Sequence, residues 1–171
     1  MSGAFTPATV RLILARDDNR CARCGRPVRV EDRGRGWSVQ HRRPRGMGGS
    51  KDPVTASPVN AVILCGSATT LCHGWVETHR AEARTHGWLV PQWRDPADVP
   101  VLHHSQGWVW ITPAGYRACT TAERWLLAGQ WLADELRSSG IPDDDVDGVQ
   151  RLSVAASDLF AVMAGDVRRT A

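Results

Sequence analysis

Lysine is all but missing from this chain: Lys51 stands alone against twenty arginines. Positive charge therefore comes as planar guanidinium, which makes paired contacts with phosphates and carboxylates that an ammonium cannot. A bias in coding-sequence base composition produces the same preference, so the arginines alone do not point to a partner. No run of eighteen apolar residues occurs, which excludes a membrane-spanning helix. Residues 1–18 hold only short apolar pieces broken by Arg11 and Arg16, unlike a secretory leader, so the cytoplasm is the expected compartment. Five cysteines in such a setting predict metal or chemistry rather than disulfides, because cytosolic thiols stay reduced. What is present suits a folded protein: 171 residues, 42% hydrophobic and 23% charged, enough to bury a core in one domain with a small appendage.

Charge is distributed unevenly. Residues 1–51 carry twelve Arg/Lys against four Asp/Glu, whereas residues 120–171 carry five against nine. A basic front and an acidic back predict that a polyanion meets the front.

Thr6-Pro7 predicts a helix start, a hydroxyl cap followed by proline, with Val10, Ile13 and Leu14 on one face and Asp17-Asp18-Asn19 at its end. Trp37–His41 alternates like a short strand, and Val62–Cys65 reads as a buried one. A Gly- and Pro-rich loop lies between them. Cys72 to His86 has a helical pattern closed by Gly87, and Trp88–Val90 and Trp108–Ile111 read as strands around a Pro/Asp loop. Thr120 and Glu123 have capping-box spacing ahead of a helix through Leu136, and Val149 to Met163 predicts a second amphipathic helix. The expected division is residues 1–118 and a helical pair in 119–171.

Cys21 and Cys24 form C-x2-C, and Cys65 and Cys72 form C-x6-C about forty residues on. Two distant pairs suit one zinc ion held tetrahedrally by four thiolates, which staples a small fold and leaves no open position for a substrate. Buried free cysteines are the competing reading. Cys119 has no partner in this pattern and is expected in a core.

His41-Arg-Arg-Pro-Arg-Gly-Met-Gly-Gly-Ser50, Asn60-Ala-Val-Ile-Leu-Cys65 and Cys72-His-Gly-Trp-Val-Glu77, framed by the zinc-type cysteines, resemble the HNH endonuclease family, and more narrowly its bacteriophage members. The resemblance covers about residues 5–112. It implies an α+β fold with a ββα-metal (His-Me finger) core, in which two strands and a helix hold a divalent ion against a scissile DNA phosphate. In that pattern His41 is the general base, His73 a ligand of the catalytic ion, and Asn60 holds the loop that aims His41. Arg42, Arg43, Arg45 and Lys51 are expected to grip DNA. Family members usually place His or Asp before the catalytic histidine, and this chain has Gln40, a neutral ligand that binds a hard cation more weakly. Glu77, four residues after His73 on the same helical face, is expected to supply a carboxylate.

The implied function is hydrolysis of DNA by Mg²⁺, Mn²⁺, Ni²⁺ or Zn²⁺, with a structural zinc beside it. The partners implied are DNA and the terminase large subunit of a packaging machine, in a host cytoplasm and without a membrane; the helical extension is expected to mediate oligomerisation. A zinc-containing DNA-binding or packaging module without catalysis is the alternative, and a cytotoxic nuclease domain a third reading. His79 and His86 are expected on exposed helix positions. His103 and His104 are expected on opposite faces of a strand, and the tryptophans at 88, 93, 108 and 110 in core and hairpin packing rather than on base-stacking platforms.

Overall fold

A computed structural model describes residues 3–46 and 49–140. The chain divides into two compact units, Met1–Ala118 and Cys119–Ala171. The expected helix from Val149 to Met163 lies outside the described residues. The described part is a mixed α+β protein, and it contains no helix long and apolar enough to cross a membrane.

Helix α1 (Pro7–Arg16) starts where the sequence places it: the Thr6 hydroxyl accepts from the Thr9 amide at 3.1 Å and proline takes the first turn. Asp18 and Asn19, with φ of 51° and 50°, then turn the chain away. Strand β1 (Trp37–His41) pairs antiparallel with β2 (Ala61–Cys65), setting Trp37 opposite Cys65 and His41 opposite Ala61. Every residue of β2 is buried. The reason is that its two faces serve different cores. Ala61 and Ile63 pack with Phe5, Val10, Ile13, Leu14 and Trp37, while Val62 and Leu64 pack with Cys21, Cys72, Val76 and Leu89. A strand covered on both sides reads as a continuous apolar run rather than an alternating one.

The expected single helix over 72–86 is instead two, α2 (Leu71–Thr78) and α3 (Arg80–Thr85). The break falls at His79 (φ −110°, ψ 54°). There the Thr78 hydroxyl donates to the carbonyls of Gly74 and Trp75 at 3.0 and 3.1 Å, competing with the backbone for the last helical acceptors. Trp88–Val90 is not a strand. It is a buried, bent link, and the second sheet is a meander of β3 (Val101–His103), β4 (Gly107–Thr112) and β5 (Gly115–Ala118). Gly87 is required where it stands: φ is +71°, and a Cβ there would lie 1.9 Å from the Pro100 carbonyl oxygen.

A buried polar network ties α1 to both sheets. Asp17 accepts from Arg16 Nε at 2.6 Å, from the Tyr116 hydroxyl at 2.7 Å and from the Ile63 amide at 3.0 Å. Arg16 spends its remaining donors on the Pro58 and Ala61 carbonyls. In the second unit α4 (Thr121–Ser139) opens with a reciprocal capping box between Thr120 and Glu123 and ends at Gly140.

Candidate metal centre and adjoining cleft

The knuckle between α1 and β1 is shaped by its own backbone. The Gly25 amide donates to the Cys21 carbonyl and the Cys21 amide to the Arg26 carbonyl, folding Cys21 and Cys24 onto one side. Gly25 has φ +75°, and a Cβ would lie 2.6 Å from His104 Nδ1. The Ala22 amide donates to the Ile63 carbonyl, docking the knuckle on β2, whose last residue is Cys65. Cys72 arrives on the first turn of α2. The four sulfurs lie within 4.8 Å of one another.

Tetrahedral zinc–sulfur bonds of about 2.3 Å put sulfurs roughly 3.8 Å apart. Cys24 and Cys65 are 3.7 Å apart, far beyond a disulfide bond. The four cysteines can therefore hold a metal ion such as zinc. Hydrogen bonds from Cys21 draw the Cys24 and Cys65 thiols down, to about 4 and about 6, and the same contacts push Cys21 up. Arg23 supplies a cation beside it: Nη1 is 3.5 Å from Cys72 Sγ, and the guanidinium lies over the Trp75 ring at 3.9 Å. Cys119 is buried, as expected, and lies in the other unit.

Directly after Cys72, His73 occupies the first turn of α2. Ser38 on β1 bonds to it, with Oγ 2.5 Å from Nδ1. The same hydroxyl donates its one proton to the Gly66 carbonyl at 3.0 Å. Ser38 Oγ must then accept from His73 Nδ1–H, which leaves the lone pair on Nε2 for a metal. His41, at the end of β1, has the opposite tautomer. Its Nε2 lies 2.9 Å from the Gly3 carbonyl, which can only accept, so Nδ1 carries the lone pair. The ring stacks on Phe5 at 4.2 Å. Burial lowers both imidazole pKa values; the Gly3 bond opposes this at His41 while Arg45 adds to it, and Glu77 opposes it at His73. Both rings are held neutral near pH 7.

His41, His73, Gln40 and Glu77 line one cleft of about 380 Å³, together with Arg33 and Arg45. His73, Glu77 and Gln40 offer an imidazole, a carboxylate and an amide, a donor set that suits a hard divalent ion with water completing its shell. Gln40 does not act as an acceptor toward its neighbours. Its Nε2 donates to Glu77 Oε1 at 3.3 Å and to the His41 carbonyl at 3.1 Å. Glu77 also receives Arg80 Nη1 at 2.9 Å.

Asn60 is wholly buried and clamps the segment leaving His41. Its Oδ1 accepts from the Arg43 amide at 2.6 Å, Nδ2 donates to the Arg43 and Thr55 carbonyls, and its own carbonyl accepts from the Arg42 amide. The four basic residues expected at DNA separate here. Arg42 does not reach a phosphate: it is fully buried and donates to the carbonyls of Gly87, Val59, Pro96, Val99 and Pro100. Burial, with a smaller push from the Arg16 charge, lowers its pKa to about 9. Arg42 is a structural knot whose fork of donors matches a cage of backbone oxygens. Arg43 is held by Asp52 and by the Arg94 carbonyl. Arg45 and Lys51 are exposed, and Arg45 lines the cleft.

His86 is buried rather than exposed, stacked on Trp88 at 4.6 Å. His103 and His104 do not lie on opposite faces: their rings are 4.5 Å apart, because β3 ends at His103 and His104 already belongs to the turn. Trp88 and Trp108 are buried, whereas Trp93 is 63% exposed. The burial of Arg42 and the Asp17–Tyr116 bond leave no local sequence signal, since the partners are distant along the chain. Arg33, which also lines the cleft, bridges to Trp37 just ahead of the Gly34–Gly36 turn, in a stretch that the sequence marks only as basic. Comparison with protein-family models, with curated proteins and with solved structures gives no match.

Proposed function

We propose that the protein is a divalent-metal-dependent HNH endonuclease that hydrolyses DNA phosphodiester bonds. The observation that supports this reading best is the meeting of two neutral imidazoles of opposite tautomer, His41 and His73, on one arginine-edged cleft. In this reading β1, β2 and α2 form the ββα-metal core. His41 presents Nδ1 to a water and accepts its proton while Nε2–H stays on the Gly3 carbonyl. His73 Nε2 and Glu77 would hold the ion, which supplies Lewis-acid stabilisation of the leaving oxygen. Arg45 and Arg33 orient the phosphate, and Asn60 keeps the segment after His41 in place. The thiolate cluster carries no chemistry. As a zinc site it pins the end of β2 to the start of α2 and so places His73 against Ser38. A bacteriophage setting and a terminase partner belong to the same reading.

One observation favours the reading without catalysis: Glu77 is already paired with Arg80 and Gln40. A plasmid-nicking assay across Mg²⁺, Mn²⁺, Ni²⁺ and Zn²⁺ separates the two. Wild-type protein is expected to nick with at least one of these ions, and His41→Ala to lose about a hundredfold to ten-thousandfold with an unchanged melting temperature. Nicking by His41→Ala at the wild-type rate would remove His41 as base.

A further inference from the structure

Tryptophan side chains bury more apolar surface than any other, and six of the eight rings are packed or partly covered; Trp125 on α4 is 50% exposed, and Trp93, in the first unit, 63%. It belongs to the segment Val90–Arg94, which runs beside the residues that leave the cleft. The Val90 amide donates to the Arg42 carbonyl at 2.7 Å, Gln92 Nε2 to the Pro44 carbonyl at 2.5 Å, and Arg43 Nη1 to the Arg94 carbonyl at 3.4 Å. Three cross-links thus tie the segment that carries Trp93 to the one that carries Pro44 and Arg45, and both of those residues line the cleft. The Arg94 guanidinium lies over the Trp93 ring, 5.6 Å from its centre, and sets a positive charge on one aromatic face. The cleft itself is lined by Arg33 and Arg45 against one carboxylate, Glu77.

An exposed ring with a guanidinium over one face, carried by a segment tied to the cleft's rim, has the two elements of a single-strand nucleic-acid platform: an aromatic surface for a base and cations for the backbone. A paired duplex hides its base faces in the stack, so such a platform discriminates in favour of unpaired bases. We propose that Trp93 stacks on an unpaired base of the strand that crosses the cleft, so that the preferred substrate is DNA with a single-stranded, flapped or distorted segment beside the cut phosphate. This deepens the endonuclease reading and rests on it for the identity of the cleft's ligand.

The test uses full-length protein carrying His41→Ala, so that binding is measured without cleavage. Three fluorescent probes are titrated: a single-stranded oligothymidylate, a strand of the same length and charge built from abasic units, and a duplex. Adding Trp93→Ala should weaken binding of the oligothymidylate roughly tenfold, leave the abasic strand within twofold, and leave the slope of log affinity against log salt unchanged. Trp93→Phe should restore most of the loss. Arg45→Ala should instead weaken all three probes and reduce the salt slope by about one. Equal loss on the base-bearing and abasic strands, or no loss on either, overturns the platform while leaving the cleft's reading intact. If none of the probes binds, the platform falls together with the nucleic-acid reading. If the single strand binds with the Trp93 dependence but wild-type protein cleaves nothing, the platform stands and the catalytic reading falls.

Discussion

The molecule contains two sets of metal-capable side chains only one residue apart in sequence, at Cys72 and His73, and they are built on opposite plans. The thiolate cluster gathers four donors of one kind, three of them buried, from two distant stretches of chain. The cleft offers one imidazole, bonded to Ser38, with a carboxylate and an amide bonded to each other, the carboxylate also to Arg80. A closed, single-chemistry site trades ligand exchange for stability, because its binding energy is folding energy. An open, mixed site forgoes affinity to leave positions for substrate and water. Cys72 and His73 both lie on the first turn of α2, so whatever fixes Cys72 also fixes the backbone of His73.

The largest expected effect breaks the closed site. Cys65→Ser should abolish stoichiometric zinc in elemental analysis and cost on the order of ten kcal/mol of folding free energy, leaving the first unit unfolded by circular dichroism at 25 °C. A variant that kept both zinc and a wild-type melting transition would show that the thiolates do not staple the fold. His73→Ala sharpens the contrast from the other side. It removes one ring and its Ser38 bond, so stability should fall by only about 1 kcal/mol and zinc content should hold, while nicking drops at least a hundredfold. If zinc were lost with His73, the two sites would be one. The smallest effect comes from Gln40→Asp, which places a carboxylate beside Glu77. Without a divalent ion the like charges should lower the melting temperature slightly. With it, the metal concentration for half-maximal nicking should fall about tenfold, since charge complementarity at ligand distance outweighs part of the desolvation cost. Coincident titration curves for wild type and Gln40→Asp would place residue 40 outside the ion's shell.

Local patterns carried much of this architecture into view. Thr6-Pro7 announces α1, the alternation at Trp37–His41 and the apolar run before Cys65 announce the paired strands, and Thr120 with Glu123 announces the capping box. Each of these is a relation among residues within four or five positions. The helix break at His79 was not legible, because apolar periodicity continues through it and only the competition of Thr78 for its carbonyls ends the first helix. Trp88–Val90 misled for a related reason. A buried link and a buried strand share the same hydrophobic run, and only the absence of a ladder partner distinguishes them.

Arg42, Arg43 and Arg45 show where sequence reading stops. Three arginines in four residues look alike on paper, yet one is caged by five carbonyls, one is paired with Asp52, and one lines the cleft. The sequence by itself determined the cysteine pairs, the short strands, the helix starts and the basic charge of the first fifty-one residues, since spacing, capping and formal charge are local properties. Only the tertiary structure decided which arginine faces solvent, which tautomer each histidine holds and that Trp93 stands exposed. Those depend on the carbonyls and rings that distant segments bring within a few ångströms, and the electrostatic cost of burying a charge or a ring nitrogen is set by that surrounding rather than by the residue's own type.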